Sequence, residues 1–244
     1  MIEMNAKTAI CIVAASFLTA CGGGGGSSDV TPVANADPQG FWQGTSSNGH
    51  AVATLVLETG QYFAVYSTNN SVDGMIEGTL AVNGNSISDS SAIDFVVGAS
   101  AVPATITGTV TTKQMLSATA KEASQTVTFN GTYNSAYDTS PTVSEGVGTW
   151  TGTAAGGGAT TTMTVAADSS FTGASGSCTF SGSVKPRASG KNVFDGTVTF
   201  KDASCALGAG TSIDFEAVIA NNQMIAAGVN SARSAGFVFL GTKS

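Results

Sequence analysis

The sequence predicts an all-β protein made of two tandem antiparallel meander β-barrels with about eight strands each. Gly, Ser, Thr and Ala dominate the 244 residues, and apolar residues occur in short runs between Gly and Asn, which is typical of strands and tight turns. No helical pattern separates these runs, which excludes parallel crossovers. The first half of the folded region recurs in the second half, which predicts two units of one fold. A pair of β-sandwiches is the alternative architecture.

Residues 1–20 have the pattern of a signal peptide. An apolar segment of ten residues follows Lys7, about half the length that a bilayer-spanning helix needs. The segment ends in Leu18-Thr19-Ala20-Cys21, which resembles the lipobox of bacterial lipoproteins. The resemblance implies cleavage before Cys21 and acylation of that cysteine, which anchors the protein to a membrane through its lipid. An ordinary secretory signal with an incidental cysteine is the alternative.

Residues 21–39 are predicted to be the lipidated cysteine and a flexible tether. Glycine and serine fill residues 22–28, and nothing apolar up to residue 39 could form a core, so this stretch is expected to space the folded part from the lipid. Gly22 and Gly23 lack the aspartate that typically retains lipoproteins in the inner membrane. The resemblance therefore implies the outer membrane of a Gram-negative cell envelope, on either of its faces.

The sequence motif that opens the folded part occurs twice. Residues 40–45 (GFWQGT) match residues 148–153 (GTWTGT) at an offset of 108. Continued without a gap, the alignment places Thr54 on Thr162 and Phe63 on Phe171. Both halves also end alike, in Phe-x-Gly-Thr. We interpret this as a tandem duplication, with a first barrel repeat over 40–138 and a second over 139–244.

The first repeat contains eight short β-type runs. They predict strands near 40–46, 51–58, 61–67, 74–82, 85–96, 104–111, 115–120 and 125–133. Tight turns rich in Gly and Asn between them indicate antiparallel neighbours. Eight meandering strands close most economically into an up-and-down barrel, because closure removes the exposed sheet edges.

Each repeat has one tryptophan, Trp42 or Trp150, and the chain has no other. On a strand, Gly40, Trp42 and Gly44 share one face, so the glycines leave space for an indole lying across a barrel end. We predict that both tryptophans plug the barrels. Stacking against a ligand is the alternative.

The Gly-x-Trp pattern near the first strand of an eight-stranded meander resembles the lipocalins and calycins. The repeated Gly-Thr strand ends and the acylated, Gly-tethered start are similar to the barrel domains of bacterial surface lipoproteins such as transferrin-binding protein B and factor H binding protein. This resemblance covers about residues 40–243 and implies architecture only. The second lipocalin motif, Thr-Asp-Tyr, is absent, so no binding residue carries over.

The four cysteines separate by location. Cys11 belongs to the signal peptide and Cys21 takes the lipid, which leaves Cys178 and Cys205. An even pair in an exported protein predicts a disulfide. It would close a loop of about 28 residues and contribute roughly 3.5 kcal/mol in the chain-entropy model. A metal site is disfavoured because two thiols lack further ligands.

The sequence offers no catalytic constellation. The single histidine, His50, follows Gly49 in a predicted hairpin and is expected to be exposed; it would indicate an enzyme only if it lay buried beside carboxylates. No Gly-x-Ser-x-Gly elbow occurs, and residues 156–158 (GGG) lack the Lys and Ser/Thr of a phosphate-binding loop. The net charge of −7 and the absence of a basic stripe argue against nucleic-acid binding. No cofactor or metal is predicted.

Three functional hypotheses remain, all non-enzymatic. The first is a cell-envelope lipoprotein, held to the membrane by its lipid, that presents two barrels to an unknown protein partner or surface ligand. The second is a lipocalin-like carrier of a small apolar ligand, which requires a hollow barrel rather than one filled by Trp, Phe and Met. The third is an accessory subunit of an outer-membrane complex, which requires an exposed apolar patch on one barrel wall.

Overall fold

Two closed barrels of eight antiparallel strands follow one another along the chain. The structure is a computed structural model and describes residues 34–155 and 159–244, which belong to one compact unit from Ala34 to Ser244. The predicted signal peptide, the acylated Cys21 and most of the predicted tether fall on residues 1–33, outside the described residues.

The first barrel is formed by consecutive strands that pair with their neighbours, and it closes where β1 pairs with β9 and β4 pairs with β6. The strand β5 is short, pairs only with β6, and lies outside the ring of eight. The strands are β1 (Gly40–Ser46), β2 (Ala51–Val56), β3 (Gln61–Thr68), β4 (Ser71–Thr79), β5 (Ala81–Asn83), β6 (Ser86–Val96), β7 (Val102–Thr111), β8 (Met115–Lys121) and β9 (Thr126–Tyr133).

The second barrel repeats this arrangement and closes where β10 pairs with β17. A short 3-10 helix (Ser135–Asp138) and the single-turn helix α1 (Val143–Gly146) connect the two barrels. The strands are β10 (Gly148–Ala154), β11 (Thr160–Val165), β12 (Ser170–Ser175), β13 (Cys178–Pro186), β14 (Phe194–Phe200), β15 (Ser212–Ala220), β16 (Gln223–Val229) and β17 (Gly236–Lys243). The predicted all-β fold with two tandem barrels is confirmed, and the sandwich alternative is wrong because both sheets close.

The register of the strands corrects the sequence alignment of the repeats. Trp42 pairs with Thr54 across β1 and β2, whereas Trp150 pairs with Met163 across β10 and β11. Thr54 therefore corresponds to Met163 and not to Thr162. The loop between β10 and β11 (155–159) is one residue longer than the loop between β1 and β2 (47–50), and a slip of one residue exchanges the two faces of a strand.

The same slip affects the third strand of each barrel. Val56 pairs with Tyr62, and Val165 pairs with Phe171, so the counterpart of Phe171 is Tyr62 rather than Phe63. Phe63 instead packs on the outside of the first barrel, in a buried cluster that includes Val238 of the second barrel.

The two barrels pack against each other through apolar side chains on their outer faces. Two buried clusters contain residues of both barrels, among them Leu55 with Val218 and Met75 with Ala227. Of the large apolar side chains in the described residues, only Met115 and Val143 are exposed. The first barrel thus has an apolar outer wall, but the second barrel covers it, so the described residues do not show the exposed apolar patch that the accessory-subunit hypothesis requires.

Ion pairs also link the barrels. Arg233, in the loop between β16 and β17, donates from Nε to Glu77 Oε2 on β4 at 2.6 Å, and the Glu77 side chain is only 5% exposed. Arg187, after β13, forms a two-nitrogen contact with Glu58 of the first barrel and also donates to Asp195 at 2.7 Å. A carboxylate buried this deeply depends on its cation.

Residues 34–39 lie against the first barrel, which corrects the prediction that the flexible tether extends to residue 39. Ala36 N donates to Gly84 O at 2.7 Å, and Asn35 Oδ1 accepts a hydrogen bond of 2.8 Å from Gly84 N. Asp37 N donates to Thr112 Oγ1 at 2.8 Å. These contacts reach the backbone of Gly84 in the β5–β6 connection and the Thr112 hydroxyl in the β7–β8 connection, so residues 34–39 hold a defined position although their composition is polar.

Cys178 and Cys205 are bonded, as the sequence predicted. The disulfide joins the first residue of β13 to the loop that follows β14. Cys205 packs in the core of the second barrel, so the bond fastens that loop to the barrel end.

Candidate ligand-binding site

The interior of the first barrel contains a cavity of about 250 Å³. Its wall is mainly aliphatic and includes Val52, Ala64, Ile76, Leu80, Ile106 and Ala118. These side chains point inward because residues alternate between the two faces of each strand.

The interior of the second barrel is filled by phenylalanine. Five rings form a closed circuit of edge-on and tilted contacts, with neighbouring ring centroids 5.8 to 6.4 Å apart. They are Phe171, Phe180, Phe200, Phe237 and Phe215, in order around the circuit. Edge-on aromatic pairs at these distances are favourable.

The strand registers identify what stands at the same five positions in the first barrel: Tyr62, Ile76, Asp94, Val127 and Ile106. Four of the five phenyl rings are thus replaced by smaller side chains. Interiors normally pack to the density of organic crystals, so these replacements account for the space inside the first barrel.

The cavity opens at the end of the barrel where β1 meets the loop to β2. Its lining there includes Asn48 and Gln125, both exposed, together with Ser46, His50 and Tyr66. The Ser46 hydroxyl donates to Asn48 Oδ1 at 2.6 Å and accepts from the His50 backbone N–H at 3.1 Å. The mouth is therefore polar, whereas the interior is apolar.

A tyrosine and two carboxyl groups meet beside this mouth. The Tyr66 hydroxyl donates to Asp94 Oδ1 at 2.7 Å, and Asp94 is 3% exposed. Burial raises the pKa of Asp94 to about 7, the Tyr66 hydrogen bond opposes that rise, and the neighbouring Glu122 carboxyl adds to it. Burial and Asp94 likewise hold the pKa of Tyr66 above its ordinary value.

His50 lies on the other side of Tyr66 and is half-buried, not exposed as predicted. Its Nδ1 is 3.1 Å from Asp73 Oδ2, and its ring meets the Tyr66 ring edge-on at 5.5 Å. These contacts with Asp73 and Tyr66 account for its partial burial. The nearby hydroxyl of Ser46 is hydrogen-bonded to Asn48 and not to the imidazole.

Thr54 lies deeper in the cavity wall. It is 5% exposed and lines the cavity, and its hydroxyl has no hydrogen-bond partner. Its counterpart in the second barrel is Met163. A buried hydroxyl without a partner costs free energy, so this hydroxyl is available to donate a hydrogen bond to, or accept one from, a molecule in the cavity.

Both tryptophans are fully buried. Trp42 Nε1 donates to Pro38 O at 3.0 Å, and Trp150 Nε1 donates to Gly146 O at 2.8 Å. A Cβ atom added to Gly40 would lie 2.9 Å from Trp42 Nε1, so glycine is needed beside the indole. Trp42 is not part of the cavity lining.

A second, wider groove of about 490 Å³ runs between the barrels beside Gly44 and Gly152. Its lining mixes Gln, Thr and Asn side chains with apolar ones that project from the outer barrel faces. Within the described residues, no three His, Cys, Asp or Glu side chains are grouped so that they could hold a metal ion. In the same part of the chain, no helix has the length and hydropathy needed to cross a membrane.

The fold and the cavity define an all-β protein with one hollow and one filled barrel. No protein-family model matches the chain, and a search of curated proteins finds no match either. Among solved structures, the chain is similar to a mutant of the vaccine antigen Transferrin Binding Protein B (TbpB) from Haemophilus parasuis Hp5. The identity is 9% and the TM-score 0.31, and the match covers 80% of this chain and 66% of that one. The chain thus spans just under two thirds of the length of that structure.

Proposed function

We propose that the protein is a non-enzymatic lipoprotein of the cell envelope whose first barrel binds a small, mainly apolar ligand. The observation that carries this proposal is the contrast between the two interiors, which share one register but differ in filling. Natural interiors rarely contain large voids, so a hollow barrel beside a filled one indicates a retained binding space.

The size of the cavity limits the ligand. An engineered apolar cavity of about 150 Å³ takes up benzene, while pockets for drug-sized ligands start at about 300 Å³. The cavity of about 250 Å³ lies between these limits. A substituted single ring or a short branched chain fits this volume.

The lipid anchor and the second barrel position and support the first barrel. Acylation of Cys21 anchors the protein, residues 22–33 space it from the outer membrane, and the disulfide-bonded second barrel supports the first through the shared apolar interface. Trp42 closes the end of the first barrel opposite the mouth. Presentation of loops to a protein partner remains the alternative, and it does not require the cavity.

The test is calorimetric titration of residues 34–244, one compact unit, with 2-phenylethanol as a neutral single-ring probe. The wild-type chain is expected to bind one equivalent. The double variant Thr54→Met/Val127→Phe, which copies Met163 and Phe237, is expected to lose binding. Thr128→Phe adds the same ring to the exposed outer face of β9 and should leave binding unchanged. Equal binding by the filled variant, or none by the wild type, contradicts the proposal.

A further inference from the structure

An acidic group without a strong cation lies beside the mouth of the hollow barrel, around Tyr66, which lines the cavity. Asp73, Asp94 and Glu122 surround Tyr66, and within the described residues no Lys or Arg forms an ion pair with any of them. Only His50 contacts one of them, Asp73. Acidic residues elsewhere in the protein, such as Glu58, Glu77 and Asp138, are each paired with Arg or Lys.

The acidic group belongs to the hollow barrel and not to the fold in general. Asp94 occupies the register position of Phe200, and Tyr66 that of Ser175. The second barrel closes with a phenyl ring at the position of this carboxyl group, so the barrel does not need the carboxyl to fold. Burying a carboxyl group costs free energy, which a cationic ligand would offset.

Thr54 provides a second, independent indication of a ligand, from inside the cavity. Val52 pairs with Tyr66 and Thr54 pairs with Ala64, so Thr54 lies two residues deeper than the mouth, about 7 Å along the strand. Its buried hydroxyl has no partner. A ligand that enters past Tyr66 reaches this hydroxyl with an atom about 7 Å from its outer end.

We propose that the ligand of the first barrel is a compact amphipathic amine, with its ammonium group at the carboxyl groups of Asp94 and Glu122 and a hydroxyl or carbonyl oxygen at Thr54. This inference rests on the proposed function and specifies its ligand class. The apolar body of the amine fills the cavity between the two polar ends.

The affinity of the barrel for an amine should depend on pH, because the carboxyl groups that contact the ammonium take up and release protons. Since the buried Asp94 has a pKa of about 7, it is largely protonated at pH 5, and an ammonium group gains little there. As the pH rises to 8, Asp94 ionises and amine binding strengthens. Glu122, Asp73, Tyr66 and His50 are the other titratable groups that face it.

Three probes that share a phenethyl skeleton separate these contacts. Phenethylamine replaces the hydroxyl of 2-phenylethanol by an ammonium, and tyramine adds a ring hydroxyl to phenethylamine. Because hydrogen bonds to charged groups are stronger than those between neutral groups, phenethylamine is expected to bind residues 34–244 at least about tenfold more tightly than 2-phenylethanol at pH 8. That ratio should fall toward one at pH 5, and tyramine should bind about threefold more tightly than phenethylamine.

Two variants assign these effects to residues. Asp94→Asn/Glu122→Gln should bring the ratio between phenethylamine and 2-phenylethanol to about one at both pH values, with 2-phenylethanol binding preserved. Thr54→Val should remove the advantage of tyramine over phenethylamine. Asp168→Asn/Asp202→Asn removes two charges at turns of the second barrel and should leave the affinities of all three probes unchanged.

The outcomes distinguish this inference from the proposed function. Equal affinities of phenethylamine and 2-phenylethanol at pH 8 overturn the inference and leave the proposed function standing. Binding of none of the three probes overturns both. An amine preference that survives in Asp94→Asn/Glu122→Gln also overturns the inference, because the ammonium must then bind elsewhere.

Discussion

Asp94 in the first barrel occupies the position that Phe200 occupies in the second. Asp94 pairs with Ile76 across β4 and β6, and Phe200 pairs with Phe180 across β13 and β14. One barrel thus closes a circuit of phenyl rings, while the other interrupts it with a carboxyl group beside a cavity. The two repeats thus differ in how their interiors are filled.

The pH dependence of stability should report the buried Asp94. Its pKa rises from 3.8 to about 7 on folding, so between these values the folded protein holds a proton that the unfolded chain has released. The free energy of unfolding therefore falls as the pH rises from about 4 to about 7. Urea unfolding at pH 4 and pH 8 should show Asp94→Asn to be nearly unchanged at pH 4 and about 4 kcal/mol more stable than the wild type at pH 8.

Glu216 contributes a slope of the same sign, since burial raises its pKa to about 7. Asp94→Asn should consequently reduce the pH dependence without abolishing it, and adding Glu216→Gln should reduce it further. A wild-type protein that gains stability between pH 4 and pH 8 contradicts both assignments.

The ion pair between Glu77 and Arg233 should matter for stability because Glu77 is nearly fully buried. Arg233→Met leaves this carboxylate without its cation and should lower the free energy of unfolding by about 3 kcal/mol in urea titrations. The double variant Glu77→Gln/Arg233→Met should recover part of that loss. If the double variant is as unstable as the sum of both single variants, the two residues do not act as a pair.

The disulfide should stabilise the second barrel without affecting the cavity. Cys178→Ser/Cys205→Ser is expected to lower the free energy of unfolding by about 3 kcal/mol, because the unfolded chain gains loop freedom. Binding of 2-phenylethanol to the folded protein should not change. A reduced affinity in this variant would indicate that the second barrel shapes the cavity directly.

Filling the cavity should stabilise the protein while it removes binding. Thr54→Met replaces an unpaired buried hydroxyl with an apolar side chain that the second barrel already carries at this position. Thermal unfolding should show a gain of about 1 kcal/mol. A destabilised variant would mean that the Thr54 hydroxyl or the space around it supports the folded barrel.

The sequence predicts the fold well because its signals are local. Turn glycines, short β-type runs and the repeated Gly-x-Trp start locate most of the strands, and the one pair of cysteines left after the predicted lipidation site identifies the disulfide. Local signals do not establish register: the extra residue in the loop between β10 and β11 shifted the alignment by one, which exchanged the inner and outer faces of the third strand. The alignment therefore did not identify Tyr62 as the counterpart of Phe171.

The candidate site was missed for the same reason. A cavity depends on which side chains face inward together, and the one-residue slip placed Phe63 where Tyr62 belongs. The prediction that His50 is exposed was wrong. Its partner Asp73 lies on another strand, and the sequence pattern of one loop does not reveal that contact. Residues 34–39 were assigned to the tether because backbone hydrogen bonds leave no trace in composition.

The most direct test of a hollow first barrel is a methyl NMR titration of residues 34–244, labelled at isoleucine, with 2-phenylethanol. If the first barrel is hollow, the methyl signals of Ile76, Ile87 and Ile106, which line the cavity, should shift together and saturate at one equivalent. The signal of Ile213, in the core of the second barrel, should stay in place. Shifts confined to Ile213, or no saturable shifts at Ile76 and Ile106, would contradict a ligand-binding cavity in the first barrel.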